Sequence, residues 1–189
     1  FAGICLSMAM GIALLLWPAA VPGLARLAHA HLAFAGGVVP MIAGAMLYFL
    51  PTLLRVPFRA DWTIALIAVL LIGAPIAMTL ALLVGSVPLM GLGGVLILAG
   101  LLVMGWRVAV MAWRSLGPLD LNSRFYVTAL LFLSAAVLFG VTMAASPLTA
   151  IALGVSHGAV RLAHIHLALA GFVGMTVIGT MHNLFPTVL

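Results

Sequence analysis

The chain has 189 residues, 67% of them hydrophobic and 5% charged, with a mean hydropathy of +1.42. A soluble domain carries about a quarter charged residues, so this composition excludes a water-facing globular surface and implies an integral membrane protein whose first partner is the lipid bilayer. The net charge of +5 comes from seven basic residues, all arginine, against two aspartates; in so apolar a chain they report topology and anionic groups near the membrane surface, not nucleic acid, and the lone Cys5 excludes an internal disulfide or a cysteine-based metal cluster.

A helix needs about 20 apolar residues to cross the hydrocarbon core. Helix breakers and charges divide the chain into six such segments, the pattern of an all-α, polytopic transmembrane bundle. The first runs over 1–18, without the charged start of a signal peptide, and ends at Trp17-Pro18 and Pro22-Gly23. The second runs over 24–54, followed by the charged loop Arg55 to Trp62. The third spans 63–84 and the fourth 89–114, with Gly85-Ser86-Val87-Pro88 as the turn between them. The polar stretch Gly117 to Arg124 leads into the fifth, over 125–145, and the sixth spans 158–189 after a connector that holds Ser146-Pro147, Ser156 and His157. Asp61 and Asp120 lie in loops, where helix capping accounts for them.

The arginines set the orientation. Arg55, Arg59, Arg107, Arg114 and Arg124 gather at one end of the bundle, Arg26 and Arg161 at the other. The positive-inside bias then puts the first group in the cytoplasm and the second on the outer side, the periplasmic side of a bacterial inner membrane.

The second and sixth segments share a sequence. Arg26-Leu27-Ala28-His29-Ala30-His31-Leu32-Ala33-Phe34-Ala35-Gly36 returns as Arg161-Leu162-Ala163-His164-Ile165-His166-Leu167-Ala168-Leu169-Ala170-Gly171, and 15 of the 29 residues from 26 to 54 are identical when shifted by 135. A repeat of this length fixes architecture. The unit is a parallel set of four helices, present one and a half times: 1–55 is a helix pair with the first H-x-H, 56–124 two intervening helices, and 125–189 a pair with the second H-x-H. Because 189 falls where the first copy continues into Leu54-Arg55, the chain reads as a piece of a longer protein.

At 100° per residue, His29 and His31 lie about 200° apart on their helix and serve opposite sides. One helix therefore cannot chelate one ion with both, and two sites, or one site on a helix pair, are expected. Gly36 and Met46 fall on the His29 face, as do Gly171 and Met181 on the His164 face; a glycine below a histidine leaves room for a flat ring against the helix. Arg26 and Arg161, three residues before each first histidine, are placed to pair with carboxylates through charge-assisted bonds. A histidine for iron, an arginine for propionates and a glycine for the ring describe a heme site. His29 and His164 are the first candidates for ligation, His31 and His166 the next. Copper is the other metal to consider, with Met41, Met46, Met175 and Met181 as soft ligands. His182, about 27 Å further along the helix from His164, and the loop residue His157 stand outside the repeat.

Helices bearing Arg-x-x-His-x-His-Leu with following glycines and a proline, in four-helix repeats, resemble the catalytic subunits of heme–copper oxidases and nitric oxide reductases. They resemble still more the NnrS-type heme- and copper-containing membrane proteins. The resemblance covers 24–54 and 158–189. It implies b-type heme bound by His29, His31, His164 and His166, copper as a further cofactor, a redox partner or other membrane subunits, and work in electron transfer or the handling of nitric oxide or another diatomic gas. It also raises two alternatives, a divergent oxidase or nitric oxide reductase subunit and a copper-handling transporter. The departures are definite: the sequence has no His-His pair and no acidic residue within its spans.

Overall fold

An apolar chain in lipid must satisfy its backbone hydrogen bonds internally, and a helix does so within one segment. The computed structural model describes residues 2–18, 24–115, 117, 119–145 and 154–188, and its regular elements are all helical. Six helices follow in order: α1 (Ala2–Leu16), α2 (Ala25–Leu53), α3 (Trp62–Leu83), α4 (Val87–Arg114), α5 (Leu121–Ala145) and α6, which runs through His157–His166, Leu167–Gly174 and Met175–Val188. Helices α2 to α6 are long and apolar enough to cross a membrane, while α1 is an apolar helix of 15 residues. The breaks expected at Pro22-Gly23 and Ser146-Pro147 lie outside the described residues.

Local chemistry explains where the helices start and stop. The Asp61 carboxylate accepts the Thr63 amide at 3.0 Å and opens α3. Asp120 accepts the Ser123 amide at 3.0 Å, so α5 begins at Leu121, ahead of the position 125 expected from hydropathy alone. Ser156 caps α6 by accepting the Ala159 amide at 3.1 Å. Helix α4 likewise starts before 89, because Pro88 sits in its first turn, where a missing N–H costs nothing. Gly85, at φ 70°, ends α3 in the left-handed conformation, with the Ser86 amide donating to the Ala81 carbonyl at 2.9 Å.

Three helices contain a π segment: Phe34–Val38 in α2, Val69–Gly73 in α3 and Leu167–Gly174 in α6. Pro40 and Pro75 follow the first two, and a proline cannot donate to the carbonyl four residues earlier, which loosens the ladder there. In α6, Met175 stands where α2 has Pro40, and the widened stretch instead contains Gly171 and Gly174.

Helices adjacent in sequence pack as neighbours, α1 on α2 through to α5 on α6, and the second half of α2, Val39–Leu53, also reaches α5. Met46, Leu50 and Leu54 of α2, Leu71 of α3, Met104 of α4 and Phe172 of α6 are fully buried and form the centre of the core, toward the arginine-rich end. At that end Arg107 of α4 meets Asp61 at 2.7 Å and also donates to the Arg59 carbonyl, tying the α2–α3 loop to α4. The hydrogen bond from the Thr63 hydroxyl, and then the one from Arg107, hold the Asp61 carboxyl at a pKa of about 2, below its ordinary 3.8.

The repeat extends to tertiary structure. The α1–α2 pair recurs as α5–α6: Gly11 of α1 lies against the His29 ring, and Gly140 of α5 lies against the His164 ring in the same way.

Candidate functional site

The two histidines of each motif face opposite sides, as their spacing requires. His29 turns to α1, where its Nδ1 shares a hydrogen bond of 3.2 Å with the Ser7 hydroxyl. His164, its equivalent, turns to α5, and its Nδ1–H donates to the Ala136 carbonyl at 2.7 Å. His31 and His166 each donate from Nδ1 to the carbonyl one turn earlier, Leu27 at 2.9 Å and Leu162 at 2.8 Å.

Across the bundle, His31 of α2 meets His164 of α6. Their ring centroids are 6.2 Å apart and their planes differ by 22°. The expected pairing of equivalent residues, His29 with His164, is not the one that forms: His29 is engaged with α1, and His166 lies exposed on the outer side of α6. The second histidine of one copy faces the first histidine of the next.

The tautomers follow from the acceptors. A carbonyl oxygen can only accept, so the Nδ1 atoms of His31 and His164 carry the protons, and each neutral ring keeps a lone pair on Nε2. Among the described residues neither Nε2 has a protein partner. Metal-binding histidines are held in this way, one ring nitrogen donating to a carbonyl and the other left for the ion.

The pair borders a cavity of about 300 Å³ enclosed by α2 to α6, the lower end of the range for ligand pockets, ~300–1,000 Å³. Its wall is apolar, with Phe34, Ile97, Leu133 and three thioethers, Met78, Met90 and Met143. Its end at the start of α6 is basic: His157, Arg161 and His164 succeed one another down one side of α6, all on the cavity wall. His157, expected only as a loop residue, is thus the first residue of α6 and part of the site. A histidine seven residues before His164 on an unbroken helix was the signal for it.

The other expected residues lie elsewhere. Arg26 is exposed on α2, away from the cavity wall. Gly36 and Gly171 are occupied by helix packing rather than left open for a ring. A side chain on Gly3 of α1 collides with the Gly36 backbone, and one on Gly171 comes within 2.7 Å of Phe132 of α5. The glycines on the cavity wall are Gly94 and Gly140. Met46 is in the core, and Met41 and Met181 are on the outer surface. His182 donates from Nδ1 to the Asn122 side-chain oxygen at 2.8 Å, near the arginine-rich end.

Among the described residues no three His, Cys, Asp or Glu side chains come together to hold a metal by themselves. The site therefore offers two nitrogen ligands, an apolar chamber and a basic rim. Comparison with protein-family models, curated proteins and solved structures gives no match to this chain.

Proposed function

We propose that this is a membrane electron-transfer protein that holds one b-type heme between His31 and His164. The carrying observation is the spacing of the pair. The ring centroids are 6.2 Å apart and the planes 22° from parallel, near enough that both Nε2 atoms would reach one metal ion at about 2 Å each once the rings turn toward it. With both Nδ1–H groups anchored on carbonyls, the rings are set in the tautomer that ligation needs. His31 and His164 would hold the iron, and the apolar chamber with Arg161 at its rim suits a flat hydrocarbon body bearing carboxylates. Arg161, with His157 beside it, would hold the propionates.

Bound in this way, the heme would supply one-electron transfer. The chain's own residues do the rest. Ala136 and Leu27 fix the ligand rings; the methionine and leucine wall excludes water, which strengthens electrostatic interactions within; Arg161 and His157 balance negative charge at the rim. Were both His31 and His164 to hold the iron, the group would supply electron transfer rather than gas binding, which is why electron transfer is proposed. Positive-inside orientation sets the site in the outer half of the membrane, toward the periplasm in a bacterial inner membrane.

The test is an absorption and EPR spectrum of protein purified with heme supplied. The expected result is a low-spin species with sharp reduced α and β bands, lost in His31→Ala and in His164→Ala and retained in His29→Ala and His166→Ala. Absence of a Soret band sinks the heme reading, and binding of CO or NO by the reduced wild type moves it to gas chemistry. Copper(I) is the second reading, favoured by Met78, Met90 and Met143, which line the same cavity as His31 and His164. It is supported instead if the protein carries stoichiometric copper and no Soret band.

A further inference from the structure

The His31–His164 pair is bordered on a second side by a groove between α2 and α6, lined by Ala30, His31, Phe34, Ile165, Ala168 and Leu169. His31, Phe34 and Ala168 line both the groove and the inner cavity, so these three side chains stand between the two spaces. Ala30, Ile165 and Leu169 are exposed on the outside of the bundle, and they lie on membrane-spanning helices. Leu169 is 12 residues into α6, about 18 Å along its axis, a depth at which the surroundings are hydrocarbon. The groove therefore faces lipid, whereas the rim with His157 and Arg161 is at the helix ends.

We infer that the α2–α6 groove is a lateral port through which a planar, apolar macrocycle dissolved in the bilayer reaches the histidine pair. The inference rests on the heme reading of that pair and adds the route. Three observations carry it. The groove is separated from the site only by three shared side chains, His31 among them; its wall is apolar apart from His31; and its exposed lip on the α2 side is an alanine, Ala30. Entry at the other end would drag the hydrocarbon body of the ligand past two basic side chains, His157 and Arg161, which are suited to the trailing carboxylates. A macrocycle sliding in from lipid keeps its apolar body in apolar surroundings throughout.

A port differs from a binding contact in its kinetics. Narrowing it raises the barrier equally for entry and exit and leaves the equilibrium unchanged. The experiment reconstitutes the full chain without heme in phosphatidylcholine vesicles and adds hemin, which partitions into the lipid. Growth of the Soret band gives the uptake rate, and transfer to excess apomyoglobin gives the release rate. In Ala30→Trp both rates are expected to fall roughly tenfold, the equivalent of ~1.4 kcal/mol of barrier, with the final Soret amplitude unchanged. Leu169→Trp, at an exposed position on the opposite lip, is expected to do the same and guards against a folding defect in either variant. Unaltered rates in both variants overturn the port while the heme reading stands. Lost amplitude without matched slowing also overturns it, since the groove would then be a binding contact. A wild type that takes up no hemin overturns both.

Discussion

Gly11 and Gly140 each lie against the ring of the first histidine of a motif, one facing α1 and the other facing α5, and this gives a paired test of the site. A methyl group on Gly140 would stand 3.1 Å from Cε1 and 3.3 Å from Nδ1 of His164; one on Gly11 would stand 3.0 Å from Cε1 of His29. Ordinary contact begins at 3.4 Å, so alanine at either position forces its ring to move by about 0.3 Å, a mild overpacking of ~1 kcal/mol. The His164 hydrogen bond to Ala136, now 2.7 Å, stretches to about 3.0 Å and survives. Both variants should fold with similar small losses of melting temperature. If His164 holds the heme as proposed, Gly140→Ala displaces a ligand and its heme affinity should fall about tenfold, one tenfold step per ~1.4 kcal/mol, whereas Gly11→Ala keeps wild-type affinity. Gly140→Leu fills the ring's space and should abolish the low-spin spectrum. Hemin titration of detergent-solubilised protein, followed at the Soret band, measures all three. Equal loss of affinity in Gly11→Ala and Gly140→Ala would refute the pairing of His31 with His164.

Three further outcomes follow from the packing and the loops. Gly171→Ala sets a methyl 2.7 Å from Cβ and 2.8 Å from Cγ of Phe132, atoms that cannot swing aside; it should cost about 1–3 kcal/mol of stability, seen as a lower thermal midpoint with the spectrum of the folded fraction unchanged. Gly85→Ala meets no neighbour within 4 Å but must adopt φ 70°, so it should cost ~1 kcal/mol through backbone strain alone, and Gly85→Asn should recover part of it. Because the Asp61 carboxyl has a lowered pKa in the folded state, its link to Arg107 contributes fully above the ordinary value of 3.8 and is lost as pH falls through about 2. Asp61→Asn should therefore lower the melting temperature at neutral pH, and the difference from wild type should vanish near pH 2; a constant difference down to that pH would refute the assignment.

Much was legible in the chain itself. Apolar runs punctuated by proline, glycine and charge specify helices, because lipid leaves the backbone no other partner, and the identities between 26–54 and 161–189 establish the repeat. Asp61 and Asp120 as caps, and the opposite facing of His29 and His31, also follow from local geometry. The partner of each histidine does not. A rotation of 100° per residue fixes which side chains share a face of one helix, but it contains no information about which helix lies opposite. The π segments at Phe34–Val38 and Leu167–Gly174 also break that rotation just past each motif, so positions such as Gly36 and Met46 cannot be projected onto the histidine face. Only the packing of α2 to α6 decided that His31 meets His164, that Gly140 rather than Gly171 adjoins the His164 ring, and that His157 joins Arg161 on the cavity wall. The first of these contacts joins residues 133 positions apart, where the order of the chain does not constrain distance and the fit of the helices does.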